Sequence, residues 1–249
     1  MPEDTDGPDQ PMLTAAKLLA WRHGTAGEVP QLPQAAVLTH QRFLLPRRMP
    51  WRRNPSLPGF SFDAHRLAGG AVILAGVRGV GAPATAIAVE ELAASGVRRI
   101  IAVDVAGGID ATLPSGSTVL IESAIACDGT SPHYAGEQII QAHEDLTVHL
   151  RERLANDGLT FVSGMVFSTD AVYRETPSML ERARRQGASL IDMETAAVFA
   201  VATSLGIEAA AVLVAADSVH DAWQPPENMS AIRVELRRLL QSATACLQS

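Results

Sequence analysis

The chain has 249 residues, 47% of them hydrophobic and 19% charged, with a formal net charge of −7. That balance suits one sizeable α/β core and argues against nucleic acid as a main partner. No apolar run approaches the ~20 residues that a membrane helix needs, so no membrane partner is expected. Cys127 and Cys246 have neither metal-ligand spacing nor a disulfide framework, and no signal-peptide pattern opens the chain, so a cytoplasmic location is expected. Lys17 is the single lysine, which removes a Walker-type phosphate loop and Schiff-base chemistry elsewhere in the chain.

In chain order, residues 1–10 read as a disordered tail and residues 11–249 as one domain. Leu13 to Arg22, stopped by Gly24, has the spacing of a short helix, and Ala35 to Thr39 that of a strand. An arginine-rich stretch follows, with Arg42, Arg47, Arg48, Arg52 and Arg53 around Trp51. It reads either as a solvated basic loop or as a phosphate clamp, because arginine forks match phosphate oxygens bidentately. Regular alternation then begins. Strands are expected over Ala71–Val77, Ile100–Val105, Thr118–Cys127 and Thr160–Ser168. Helices are expected from Pro83 to near Gly96, within Gly136–Gly158 and over Pro177–Gln186.

The stretch from Ser189 to Met193 is apolar except for Asp192 and short enough for a strand. From Glu194 the apolar spacing turns helical until Gly206. Glu194 thus stands where a strand gives way to a helix, the edge at which α/β sheets place ligands. A second buried run, Ala209 to Ala216, also ends on a carboxylate, Asp217, and a last helix is expected near Glu227 to Leu247. Taken singly, each acid reads equally as a helix or turn cap.

Around these acids the sequence resembles a family. Ile191-Asp192-Met193-Glu194 followed by Thr-Ala-Ala resembles the "(V/Y)(E/D)ME(S/A)A" signature of the purine/uridine phosphorylases, a family that includes the methylthioadenosine nucleosidases. Gly79-Val80-Gly81-Ala82-Pro83, with Ala86 to Leu92, resembles its "GIGGPS…IAVEEL". Ala106-Gly107-Gly108-Ile109 resembles its "GTTGAI" loop, Asp128 to Tyr134 its "DGASLHF", and Phe167 to Tyr173 its "FSADLFY". Ala216-Asp217 falls where many members have "SD". The segments run in the family's order from about residue 70 to 220.

The resemblance implies a three-layer α/β/α sandwich with a mixed, partly barrel-like central sheet. It also implies a homodimer or higher homo-oligomer, and cleavage of a nucleoside N-glycosidic bond through an oxocarbenium-like transition state. No metal or organic cofactor is implied; inorganic phosphate would be a co-substrate. Asp217 corresponds to the acid that protonates the departing base. Glu194 corresponds to the carboxylate that holds the ribose hydroxyls, with Asp192 beside it in the signature and Met193 packed under the sugar. Val105, Ala106 and Gly107 belong to the sugar-facing loop. Val172 stands at the base-stacking position, with Tyr173 as a substitute platform. Gly79, Arg48 and Arg174 are the candidates for phosphate.

Three departures from the family pattern bear on the acceptor. Val37 to Arg42 stands where "PGDPxR" is usual, Ala102 replaces an arginine, and Asp104-Val105 replaces Gly-Thr. A carboxylate at Asp104 would repel phosphate and could serve water as a general base. Phosphorolysis is expected first, from family frequency and the basic stretch, with hydrolysis next; a binding protein without turnover and a recruited fold follow. The base stays open, because Asp217 points to a purine and the Asp128 to Tyr134 segment to uridine.

Overall fold

The computed structural model describes residues 11–24, 28–46 and 57–248. The tail at 1–10 and Arg47, Arg48, Trp51, Arg52 and Arg53 lie outside the described residues. Nine strands and six α-helices follow one another as α1 (Ala15–His23), β1 (Ala35–Thr39), β2 (Phe62–Leu67), β3 (Val72–Val77), α2 (Ala82–Ala94), β4 (Arg99–Gly108), β5 (Thr118–Cys127), β6 (Ile139–Gln141), α3 (Glu144–Asn156), β7 (Val162–Thr169), α4 (Pro177–Arg185), β8 (Ala188–Asp192), α5 (Thr195–Leu205), β9 (Glu208–Ser218) and α6 (Met229–Cys246).

The strands form one mixed sheet in the order β2-β3-β1-β4-β8-β7-β5-β6, and β9 pairs with both β4 and β5. Strands β4, β8, β7, β5 and β9 therefore close into a ring, and β3, β1 and β2 extend it as an open wing. Alternate residues of the continuous apolar strands supply two cores. In β1, Ala36 and Leu38 join a cluster with α2 and α5 residues such as Val89, Leu92 and Phe199. Ala35 and Val37 join the opposite cluster, with Leu150 of α3 and Leu236 and Leu239 of α6. Strand β9 divides the same way, Ala211 and Leu213 to one side and Val212 and Val214 to the other. Burial on both faces is why these strands are apolar throughout rather than alternating. Helix α1 is tied on through Arg22, whose Nη1 donates to the buried Glu91 at 2.7 Å, while Ser61 N donates to the other carboxylate oxygen at 2.7 Å.

Two strands escaped the sequence reading. The β2 segment carries Asp63, His65 and Arg66 because it is the edge strand, antiparallel to β3, and β6 has only three residues. Strand β4 also runs past Val105. Gly107 and Gly108, which the sequence placed in a loop, pair antiparallel with Ile191 and Leu190 and close the ring. Glycine at 107 eases this approach, since a Cβ there would lie 3.1 Å from Ile191 Cγ2, a tight contact. The strands ending at Asp192 and near Asp217 are not hydrogen-bonded to each other; β4 lies between them.

Candidate active site

The carboxyl ends of β1, β4, β5, β7, β8 and β9 carry the chemistry. Asp192 ends β8 fully buried, and its Oδ1 accepts from Ser168 Oγ at 2.5 Å. Its Oδ2 accepts from Thr195 N at 3.0 Å and from the Thr195 hydroxyl, so the side chain ties β7, β8 and the first turn of α5 together. Burial pushes the Asp192 carboxyl up, against these hydrogen bonds. It is buried within this junction, as a positioning group. Asp192→Ala would leave the Ser168 and Thr195 donors unpartnered and is expected to cost about 3 kcal/mol of stability. A melting curve matching the parent protein's would refute that role.

The next two residues turn into the site. Gly81 precedes α2 at φ 85°, a conformation that favours glycine. Its N–H donates to Glu194 Oε1 at 2.7 Å, and Met193 N donates to Oε2 at 3.2 Å. A Cβ on Gly81 would meet Met193 Cε at 3.9 Å and Asp170 Oδ1 at 4.0 Å, so Gly81, Met193, Glu194 and Asp170 lie together. Asp170 Oδ2 in turn accepts from Gly129 N at 2.7 Å. Asp128, before it, shapes the turn by accepting from Thr130 N and Ser131 N at 2.8 and 2.7 Å. The Glu194 carboxyl is pushed up to about 7 by burial and the charge of Asp192, partly offset by His40 and the Gly81 N–H.

Behind Gly81 lies a chain of polar groups that the sequence did not expose. The loop after β1 brings His40 against Asp104, with Nδ1 2.9 Å from Oδ2, and His40 N donates to the same oxygen at 2.7 Å. Asp104 Oδ1 accepts from Gln41 Nε2 at 2.7 Å and from Val105 N at 3.0 Å. His40 Nε2 lies 3.1 Å from Thr85 Oγ1, which donates to Gly81 O at 3.1 Å. A ring protonated at both nitrogens satisfies every member of this chain. Burial opposes charge on the ring. The bond to Asp104 and the charges of Asp104, Glu194 and Asp192 outweigh it, raising the His40 pKa above the ordinary histidine value. The general-base role expected for Asp104 is not what these surroundings favour. Each oxygen already accepts two hydrogen bonds, and the carboxylate acts as the counter-ion of His40.

On the far side of Gly107 stands Asp217, whose Oδ1 would lie 3.5 Å from a Cβ on that glycine. Ser218 and Gln224 exchange backbone hydrogen bonds at 3.0 and 2.8 Å. This bridge folds the intervening residues back, and Trp223 Nε1 donates to Asp217 Oδ2 at 2.8 Å. Burial and the Asp217 charge push Glu175 up to about 7, so a second acid, unforeseen from sequence, accompanies Asp217. Val172 and Tyr173 occupy a short 3₁₀ turn, where Tyr173 is 97% exposed. Trp223, against Asp217, is the aromatic that the structure brings to the acid. Arg174 is exposed on the same turn, Val105 is half-buried against the α3/α6 core and Ala106 is buried. Gly79 borders a cleft lined by Arg42 and Arg78. Among the described residues no cluster of three or more His, Cys, Asp or Glu side chains is placed to hold a metal, and no helix is long and apolar enough to cross a membrane.

A ring of five strands with flanking helices, with carboxylates at the strand ends near Gly81 and Gly107, defines an α/β protein whose polar side chains are concentrated at one sheet edge. The chain belongs to the phosphorylase superfamily, whose sequence pattern matches residues 25–248. It is 32% identical over 136 residues to a guanosine phosphorylase of Halorubrum lacusprofundi, covering 54% of this chain and 56% of that protein. It is 28% identical over 149 residues to a uridine phosphorylase of Escherichia coli, covering 54% and 59%. The matched stretch thus spans little more than half the length of these relatives. Among solved structures, an AMP nucleosidase from Bacteroides thetaiotaomicron superposes with a TM-score of 0.71 at 22% identity, over 87% of this chain and 90% of that one, which is a likeness of fold.

Proposed function

We propose that this protein cleaves the N-glycosidic bond of a nucleoside, with water as the acceptor. The observation that carries the reading is two carboxylate groups at the ends of the two strands that flank β4, Glu194 just after β8 and Asp217 near the end of β9, in a member of this superfamily. Glu194 is held by the Gly81 and Met193 N–H groups on one side, and Asp217 is held by Trp223 on the other. In an oxocarbenium-like transition state the sugar gains positive charge while the base gains electrons. An ionised Glu194, accepting from ribose hydroxyls, stabilises the first change. The proton for the second comes from protonated Glu175 and reaches the departing base through Asp217 beside it. The superfamily relatives named as guanosine and uridine phosphorylases and as AMP nucleosidase support a nucleoside or nucleotide as substrate.

The acceptor follows from Asp104. It replaces the small residue of the resembled loop with a carboxylate whose four hydrogen bonds fix it in place. A carboxylate there accepts but does not donate, and its charge faces His40 at 2.9 Å, so it offers phosphate oxygens no hydrogen bond in place of the hydroxyl that the resembled loop carries. Water, neutral and able to donate as well as accept, needs no such partner. Phosphorolysis, which the sequence placed first, retains one favourable observation: Arg42 and Arg78 border a cleft that begins at His40 and Gly79.

The test is incubation with purine and pyrimidine nucleosides in buffer with and without phosphate, followed by chromatography. Free base plus free pentose at the same rate in both buffers is the expected result. Pentose 1-phosphate formed only with phosphate would replace water as acceptor, and intact nucleosides throughout would refute cleavage.

A further inference from the structure

The two donors that hold Glu194 are backbone N–H groups, Gly81 N at 2.7 Å and Met193 N at 3.2 Å. Met193 adjoins Glu194 and moves with it, whereas Gly81 comes from 113 residues away and sets where the carboxylate stands. Glycine is a soft support, because without a Cβ its backbone reaches wide regions of φ and ψ. Its carbonyl is the other handle. Gly81 O accepts from Thr85 N at 3.2 Å and from Thr85 Oγ1 at 3.1 Å, and Thr85 is fully buried.

A threonine hydroxyl has one proton to give. For it to go to Gly81 O, the contact with His40 Nε2 at 3.1 Å must bring a donor from the ring. His40 Nδ1 faces the Asp104 carboxylate at 2.9 Å and holds a proton there. Nε2 therefore donates only when the ring carries both protons. A neutral ring would turn the Thr85 hydroxyl toward itself and leave Gly81 O with the Thr85 N–H alone. The ring is 8% exposed and faces Asp104 on β4 and Asp192 and Glu194 at the β8–α5 junction. Asp63, His65, Arg42, Arg78, Arg233 and Arg237 line the cleft on its open side. Burial opposes charge on the ring; the bond to Asp104 and the three carboxylates outweigh it.

We infer that His40 is a positioning residue for Glu194. As an imidazolium clamped by Asp104, it commits the Thr85 hydroxyl to Gly81 O and so fixes the N–H that holds the carboxylate. Its charge also favours the ionised form of Glu194. That this placement serves a sugar rests on the proposed reading of Glu194; the hold on Glu194 itself does not.

The nitrogen chemical shifts of the His40 ring in the parent chain give the first test, without any substitution. Two protonated nitrogens are expected at neutral pH, and an unprotonated Nε2 overturns the inference. Three variants then separate charge, hydroxyl and packing: His40→Gln, Thr85→Val and Thr85→Ser. The first two should weaken nucleoside binding by about three- to tenfold, the worth of one hydrogen bond, and raise KM more than they lower kcat. Thr85→Ser keeps the hydroxyl and should restore most of the affinity. The Glu194 carboxyl, followed by its carbon resonance, should titrate at higher pH in His40→Gln than in the parent. Melting curves show which variants fold, and the ring shifts of the parent decide the matter if none does. Unchanged affinity and an unchanged Glu194 titration in folded variants overturn the inference. So does Thr85→Ser binding as weakly as Thr85→Val, or a kcat that falls at constant KM. A Glu194 titration that moves in His40→Gln, in a chain that cleaves no nucleoside, would retain the positioning role and refute base release.

Discussion

Asp217→Asn is expected to lower base release by about 10²- to 10⁴-fold, the usual contribution of a positioned acid, with the melting temperature little changed. Asparagine keeps an acceptor for Trp223 Nε1, which now bonds Asp217 Oδ2 at 2.8 Å, so the fold loses little and the reaction loses its donor. Glu175 modulates this step. Burial and the neighbouring Asp217 raise its carboxyl to about 7, so it carries a proton below that pH and gives it up above. Turnover should therefore fall as pH rises through about 7, and Glu175→Gln should flatten that limb of the kcat profile. Unchanged turnover in Asp217→Asn would remove the residue from the mechanism. An unchanged alkaline limb in Glu175→Gln would separate the two acids.

Glu194→Gln is expected to weaken nucleoside binding by one to two orders of magnitude, because ribose hydroxyls then meet a neutral amide instead of a carboxylate. The same group predicts a pH dependence of opposite sense. Its carboxyl, raised to about 7, is ionised only above that value, so KM should increase by up to tenfold per unit as pH drops below 7. The two limbs meet near neutrality. Linkage adds a third consequence. The folded chain keeps a proton on Glu194 that the unfolded chain loses from about pH 4.5 upward, so this residue's contribution favours folding least above pH 7. Glu194→Gln should then stabilise the protein there by on the order of 1–3 kcal/mol while impairing binding. Melting curves at pH 5 and pH 8 that respond identically to the substitution would refute this account of the charge.

The legible parts of the sequence were those governed by local spacing or by burial on two faces. Ala35 to Thr39 and Ala209 to Ala216 announced themselves as strands because both of their faces are covered. Gly24 and Gly206 stop their helices in the left-handed conformation. The switch from strand to helix at Glu194 was readable for the same reason. The rest depended on partners far away in the chain. Strand β2 looks polar until it is seen at the sheet edge. Glu175 becomes a perturbed acid only beside Asp217, and the His40 pKa rises only against Asp104 and its neighbouring carboxylates. Trp223 reaches Asp217 through a backbone bridge that leaves no composition signal. The role foreseen for Asp104 required counting its hydrogen-bond donors, which a linear reading cannot do.

The pairing of Gly107 and Gly108 with Ile191 and Leu190 has a kinetic corollary. Ring closure joins segments some 80 residues apart, the kind of non-local contact that is late and slow to form. The helices and the wing built from β1, β2 and β3 can assemble before it; the placing of Glu194 and Asp217 on either side of β4 cannot. In refolding from denaturant, helical ellipticity should therefore return ahead of nucleoside binding. A chain that has collapsed but left the ring open would pass for native by its helix content and bind nothing, so the sealing of β4 against β8 is the event that turns a compact polypeptide into a competent one.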